Sequence, residues 1–485
     1  MDYLAQPVAW SAFRDVLIVI VAVALALVSE IARPRRMAPV AGYILLAGFL
    51  AGLATAWSHP QLDASLWKGI FVVDPMARFF SMLFMAAGAL AVLLSLARMR
   101  KNPFEGAYYV CLGSSAIGMM LMAGSGELIT MYVALELTSV SLYLLAAMDS
   151  GKGTESREAG IKYLLVGAFS SALFLYGASF FYQATGTTVF SEIRQVMSAH
   201  ANDGMILIGL VFILSAIGFK VAAVPFHMWA PDVYEGGPSP MVAFASTASK
   251  AAGFVLMARL LLSAFPGLRA DWTFLLSLMA ALTMILGSLA AIPQSNLKRM
   301  LAYSSIGQAG FMLVGFVAGS ELGMGAVMFY LVVYMFTNIG AFAVVTIFQG
   351  ATGGDDIGDY SGLARRSPAL ALCMTLALLS LAGIPPLGGF AGKLFLFSAA
   401  MQEPGKFLWL VILGLLLSTV SLFYYLSVLR QMYIEAPKSS EKIRVGFASG
   451  LALAVCVAGI LATGILPGSI IDSALEAGRS FLALK

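Results

Sequence analysis

Apolar runs of about 20 residues, the length needed to cross a hydrocarbon core, alternate with short polar links along the whole chain. They predict fourteen helical spans, at 15–32, 39–57, 76–98, 106–124, 127–148, 158–183, 204–224, 240–264, 272–292, 299–318, 322–348, 368–402, 407–433 and 443–467. Two of these runs are interrupted. Span seven ends in FKVAAVPFHMWAPDVYEGGPSP, and span twelve passes through LLSLAGIPPLGGFAGKLFLF. Proline removes a backbone donor and clashes with the preceding turn. Pro225 and the pair Pro385 and Pro386 therefore predict broken helices at membrane depth. A break of this kind is tolerated in lipid only where protein or trapped water satisfies the freed carbonyls.

The two breaks lie five spans apart. Because five is odd, a second five-span unit starts on the opposite side of the membrane from the first, which is the arithmetic of an inverted repeat. The expected fold is an all-α polytopic membrane protein of about fourteen transmembrane helices. Its expected organisation is three N-terminal helices in 1–105, a first repeat of helices 4–8 in 106–264, a second, inverted repeat of helices 9–13 in 265–434, and helix 14 with a tail in 435–485.

Composition agrees with the pattern. Hydrophobic residues make up 60% of 485 and charged residues only 11%, against about 25% charged in soluble domains, and the mean hydropathy is +0.89. The links after odd-numbered spans hold seventeen Lys and Arg: Arg33, Arg35, Arg36, Arg98, Arg100, Lys101, Lys152, Arg157, Lys162, Lys298, Arg299, Arg365, Arg366, Arg430, Lys438, Lys442 and Arg444. The other side holds seven: Arg14, Lys68, Arg194, Arg269, Lys406, Arg479 and Lys485. The positive-inside rule then puts the first set in the cytoplasm and both termini outside. The net charge of +4 reflects this bias and gives no reason to invoke nucleic acid. A polar start containing Asp2 precedes a full-length span, unlike a cleavable signal. Cys111, Cys373 and Cys456 lie in apolar spans without CxxC spacing, so packing is expected rather than metal, cluster or disulfide chemistry.

Against this background, four ionisable residues stand out deep inside apolar runs: Glu136, Lys220, Lys250 and Lys393. A charge at the bilayer centre costs about 2.5–3.5 kcal/mol even on the mild insertion scale, so it needs a partner or a function. Glu136 lies nine residues into span five, or about 14 Å deep. Unpaired, it would stay protonated. Paired with a lysine at about 4 Å and an effective dielectric near 20, it would gain about 4 kcal/mol and stay ionised. Lys220, beside the first break, is the expected partner. Lys250 lies among Ser246, Thr247 and Ser249, which could hold water, and Lys393 follows the second break on a glycine-rich face. Taking an ammonium out of water weakens its hold on the proton, which makes exchange near neutral pH feasible. Each lysine alone could be a static ion pair or could snorkel; four such groups in one bundle point to a proton pathway.

Other residues carry weaker signals. His227, in the VPFHMW break, is expected to hydrogen-bond a freed carbonyl and could relay protons. Lys162 opens span six, where topology accounts for it, although it could stand near a proton path. Tyr303, Ser304, Ser305 and Gln308 in span ten could line water. Asp232 and Glu235 read as solvated loop residues, Arg259 as a snorkelling side chain, and Asp74 with Arg78 as an interfacial pair.

The string FKVAAVPFHMWAPDVYEGGPSPMVAFASTASKAAGF resembles the seventh-to-eighth-helix signature of subunit N of respiratory NADH:quinone oxidoreductase (complex I). GSGELITMYVALELTSVSLYLL, LKRMLAYSSIGQAGFMLVGF and LAGIPPLGGFAGKLFLF are similar to the same family. The resemblance covers nearly the whole chain and is weakest over the first hundred residues. It implies an antiporter-like subunit of the membrane arm with two inverted five-helix repeats. Glu136, Lys220, Lys250 and Lys393 would form the mid-membrane proton chain, driven by quinone reduction in other subunits. It further implies no cofactor in this chain, with FMN, Fe–S clusters and quinone in partner subunits, and K-type and M-type subunits as neighbours in a bacterial inner membrane. An M-type subunit carries glutamate where this chain has Lys393, and an L-type subunit continues into a long lateral helix. Subunits of multisubunit cation/proton antiporters share the fold although their helix-eight strings differ from ASTASKAAGF, and ferredoxin-dependent photosynthetic relatives share almost the same motif; both stand as alternatives, as does a purely structural scaffold.

Overall fold

A computed structural model describes residues 10, 12–32, 40–58, 64–100, 102–197 and 203–483. The topology charges Arg33, Arg35, Arg36, Lys101 and Lys485 lie outside the described residues. Twelve helices among the described residues are long and apolar enough to cross a membrane. The N-terminal part contains α1 Arg14–Ile31, α2 Val40–Ser58, α3 Pro75–Met99 and α4 Glu105–Gly124. It is followed by α5 Leu128–Ala146, α6 Thr154–Thr185, a short α7 Phe190–Met197 and α8 Gly204–Val221. The middle of the chain contains α9 Trp229–Gly236, α10 Ser239–Ala264, α11 Arg269–Ala290, α12 Leu297–Val317 and α13 Glu321–Thr352. The last part contains α14 Pro368–Ala382, α15 Gly388–Ala400, α16 Pro404–Tyr433, α17 Phe447–Ile465 and α18 Gly468–Ala483. Each predicted span corresponds to one of these helices or to a broken pair.

Burial sorts the helices into a centre and a shell. Over its most apolar 18-residue window, α10 is wholly buried, α12 94% and α13 89%, whereas α6 and α17 are 33%. The outer helices turn Leu165, Phe169, Leu415 and Phe423 outward, as lipid-facing or subunit-facing surfaces do. Polar residues on α10, α12 and α13 are thereby kept away from lipid.

Both predicted breaks are present, and each has a local cause. Helix α8 ends where Ala222 turns left-handed at φ +58°, and the Ala223 N–H folds back to the Gly218 carbonyl at 2.8 Å. Helix α14 ends at Gly383, φ +89°, a conformation that glycine adopts without steric cost. Ile384 N–H then returns to the Leu379 carbonyl at 3.0 Å. Chain resumes as α9 after Pro225 and as α15 after Pro385 and Pro386, completing two interrupted helices.

Some elements were not foreseen. A two-stranded antiparallel hairpin, β1 Ala64–Leu66 with β2 Phe71–Val73, caps the end of the bundle opposite the predicted cytoplasmic end. Bridges from Phe71 to Ser125 and from Glu127 to Val189 extend this cap. The C-terminal tail forms the amphipathic α18, packed on α13 and α3.

Arg259 and Asp74 are placed differently from their sequence reading. Arg259 does not snorkel: its side chain is 5% exposed and that of Asp74 2%, and two nitrogen–oxygen contacts of 2.7 Å join them. The Arg259 Nε–H also donates to the Ala123 carbonyl at 2.8 Å, and its guanidinium lies 5.2 Å from the Phe481 ring. Asp74 caps α3 as well, accepting the Ala77 N–H at 2.7 Å. What the sequence reads as an Asp74–Arg78 pair is thus, on the Asp74 side, a buried clamp tying α3 to α10.

Candidate functional site

Helices α5 and α6 position Glu136. The Ser171 hydroxyl donates to one of its carboxylate oxygens. Lys220 lies in the last turn of α8, where the negative end of the helix dipole favours its ammonium, and its Nζ donates to Ser139 Oγ at 3.0 Å. Among the described residues no ion pair joins Glu136 to Lys220. Ser139 lies three residues beyond Glu136 and therefore beside it on the α5 surface. The expected pair is in fact a carboxylate and an ammonium held by adjacent hydroxyl groups.

Lys250 is 1% exposed and follows a π-helical stretch, Ala245–Ser249, a local distortion that often marks functional positions. Its Nζ donates to the Ser305 carbonyl on α12. The Ser246 and Thr247 hydroxyls turn back onto the Ala243 carbonyl, whereas Ser249 Oγ is buried without a hydrogen-bond partner. Three residues past Lys250, a Cβ on Gly253 would stand 2.5 Å from Val221 and 3.3 Å from the Lys220 stem. This glycine brings α8 and α10 into close contact and the two lysines with them.

From Lys250 onward the polar groups form two hydrogen-bonded sets, centred on the adjacent residues Ser305 and Ser304. Ser305 Oγ meets the Tyr334 hydroxyl at 2.7 Å and the Tyr234 hydroxyl at 3.2 Å. Next to it, Ser304 Oγ meets the Tyr425 hydroxyl at 2.5 Å. Gln308 Nε2 reaches the same hydroxyl at 3.4 Å and the Leu381 carbonyl at 3.1 Å, and its Oε1 accepts from Tyr330 at 2.5 Å. Lys393 Nζ donates to that same Leu381 carbonyl at 2.8 Å, to the Ala382 carbonyl at 3.2 Å and to Ser418 Oγ at 2.8 Å. Lys393 thus caps the carbonyls freed by the second break, over the Phe311 ring at 4.5 Å. Ser304 and Gln308 are the bridge between Lys250 and Lys393.

The remaining candidates lie elsewhere. Trp229 satisfies a carbonyl freed at the first break, with its Nε1–H 3.0 Å from Phe219 O, and His227 lies against the backbone of Pro225. His227 Nδ1 is buried without a partner. Lys162 is 48% exposed and pairs with Glu158 at 2.8 Å and Asp232 at 3.0 Å. Asp232 and Glu235 lie on α9 and share Arg299, each at 2.8 Å, rather than standing in a solvated loop. Lys298, counted in the sequence as a loop charge, is fully buried. Its signal was Asn296, an N-cap residue two positions earlier that starts α12 before Lys298.

A many-spanning α-bundle with broken helices and a row of buried lysines fits the class of membrane ion carriers. Residues 125–421 match the family described as NADH:quinone oxidoreductase/Mrp antiporter, TM, and the chain belongs to that family. It is 44% identical over 441 residues to NADH-quinone oxidoreductase subunit N of Moorella thermoacetica, covering 90% of this chain and 92% of that protein. It is 45% identical over 406 residues to NAD(P)H-quinone oxidoreductase subunit 2 of a Synechococcus species, covering 83% and 76%. A chain of respiratory complex I from Thermus thermophilus with bound aureothin superposes with a TM-score of 0.80 at 32% identity, covering 94% of this chain and 98% of that one.

Proposed function

We propose that Glu136, Lys220, Lys250 and Lys393 carry protons in series across the middle of this chain. The chain is a proton-translocating N-type subunit of the membrane arm of NADH:quinone oxidoreductase, a multi-pass membrane protein that works with the other subunits of that complex. The observation that carries the path is the line of polar groups between Lys250 and Lys393: Lys250 Nζ on the Ser305 carbonyl, the neighbouring residue Ser304, and then hydrogen bonds through Tyr425 and Gln308 to the Leu381 carbonyl that Lys393 shares. Buried polar groups of this density are costly unless satisfied, and here they join two ammonium groups that would otherwise be isolated.

In this reading Lys220 takes a proton while Glu136 is ionised nearby, and passes it to Lys250 when the carboxylate's influence is withdrawn. Lys250 hands it across α12 to Lys393. The two broken helices belong to inverted repeats, 106–264 and 265–434, whose breaks each begin at one left-handed residue, Ala222 or Gly383. The seventeen-to-seven charge bias supports a bacterial inner membrane orientation with both termini outside. FMN, Fe–S clusters and quinone belong to partner subunits, and K-type and M-type subunits flank this chain.

Glu136→Gln tests the reading with little change of shape, because glutamine still accepts the Ser171 hydrogen bond. In proteoliposomes containing the whole complex, the expected result is a lower proton yield per electron with the complex fully assembled. An unchanged yield would support a scaffold instead. Sodium–proton exchange by the purified chain alone would point to an independent antiporter.

A further inference from the structure

Lys298 is a buried lysine that the four-residue path leaves unused. It lies in the first turn of α12, where the positive end of the helix dipole opposes an ammonium. Its Nζ donates to the Gly237 carbonyl at 2.7 Å, the one hydrogen-bond acceptor it has among the described residues, although an ammonium has three donors. Around it stand Asp355, Lys152, and the Asp149–Arg98 pair, joined at 3.2 Å. Asp355 Oδ2 is held by Lys152 at 2.5 Å and by Gln349 at 3.3 Å, while Oδ1 is buried without a partner. Buried polar atoms left short of partners, as the Lys298 ammonium and Asp355 Oδ1 are here, are the kind that proteins satisfy with internal water.

This cluster connects outward and inward. Lys152 and Asp355 are 15% and 10% exposed, so the cluster reaches the predicted cytoplasmic end. Inward, Ser305 follows Lys298 by seven residues, two turns along the same face of α12 and about 10 Å deeper. Ser305 is also the residue whose carbonyl holds Lys250. Its hydroxyl meets Tyr234, three residues before the Gly237 that holds Lys298.

We infer that Lys298 is a fifth proton carrier, which loads Lys250 from the cytoplasmic end; this rests on reading Lys250 as a carrier. The Lys298 ammonium gives one proton to the neutral Lys250 amine by way of water and the Tyr234 and Ser305 hydroxyls. The neutral Lys298 amine then regains one proton from cytoplasmic water beside Asp355.

Lys298→Arg separates this role from a structural one, because arginine keeps the charge and the donor to Gly237 but does not release its proton. Proton yield per electron is measured across a pH series in proteoliposomes of the whole complex, alongside Lys250→Met. Because Lys220 also feeds Lys250, the expected result is assembled complex in which Lys298→Arg pumps less than wild type and no worse than Lys250→Met. A wild-type yield in Lys298→Arg at every pH, with Lys250→Met impaired, overturns the inference and leaves Lys298 a strut for Gly237. A wild-type yield in Lys250→Met overturns the underlying reading instead. Should arginine block assembly, Asp355→Asn carries the test. It removes the carboxylate beside which Lys298 regains its proton, so the proton yield per electron falls in assembled complex; a wild-type yield overturns the inference.

Discussion

Lys250→Met is expected to slow proton transfer through this chain by about a hundredfold or more, the scale of losing a positioned proton-transfer group, while the complex still assembles. Methionine matches the lysine stem in length and fills the same space in α10. It removes an ammonium that is 1% exposed, so the folded state no longer bears the cost of keeping that charge out of water. The Ser305 carbonyl loses the Lys250 donor but keeps its place in the backbone ladder of α12. Stability is therefore maintained while the ammonium that lies between the Lys220 stem and the Ser305 carbonyl is gone. Quinone reduction and proton release measured together should show a reduced proton yield per electron, at wild-type levels of assembled complex.

A large effect of the opposite kind is expected at the far end of the bundle. Arg259→Leu strands the Asp74 carboxylate, 2% exposed, between α3 and α10. Breaking a buried pair on one side costs about 3–5 kcal/mol, enough to deplete the assembled complex and to lower its melting temperature in mild detergent. Adding Asp74→Asn should recover most of that loss. Asparagine carries no charge to strand, and its side-chain oxygen can still accept the Ala77 N–H that caps α3. Recovery by the double variant identifies the stranded charge as the cause; if Asp74→Asn brings none, the loss belongs to the Arg259 bonds with Ala123 and Phe481.

These two sites also show what could be read from the sequence. A charge in an apolar run is visible in one dimension, so Glu136, Lys220, Lys250 and Lys393 declared themselves, as did the breaks at Pro225 and Pro386. Partners are not visible in that way. Arg259 and Asp74 are 185 residues apart, and nothing local distinguishes a snorkelling arginine from a clamped one. The Glu136–Lys220 pairing followed from electrostatics; the sequence shows Ser139 close to Glu136, but not that its hydroxyl takes the Lys220 bond or that Ser171 takes the one to Glu136. Ser304 and Gln308 looked like ordinary polar residues of a span until the Tyr425 hydroxyl and the Leu381 carbonyl converged on Gln308. Lys298 was concealed by a boundary: placing the start of span ten at residue 299 instead of 297 turned a buried lysine into a loop charge.

Carriers in series cannot fail independently, and this gives the most direct measurement of the path. Proton yield per electron should be compared for Lys220→Met, Lys393→Met and the double variant in proteoliposomes of the whole complex. A single path through both lysines predicts that the double variant pumps no worse than the poorer single variant, a strongly non-additive result for two sites on one route. Losses that add in the double variant, or single variants that pump at the wild-type yield, would contradict it.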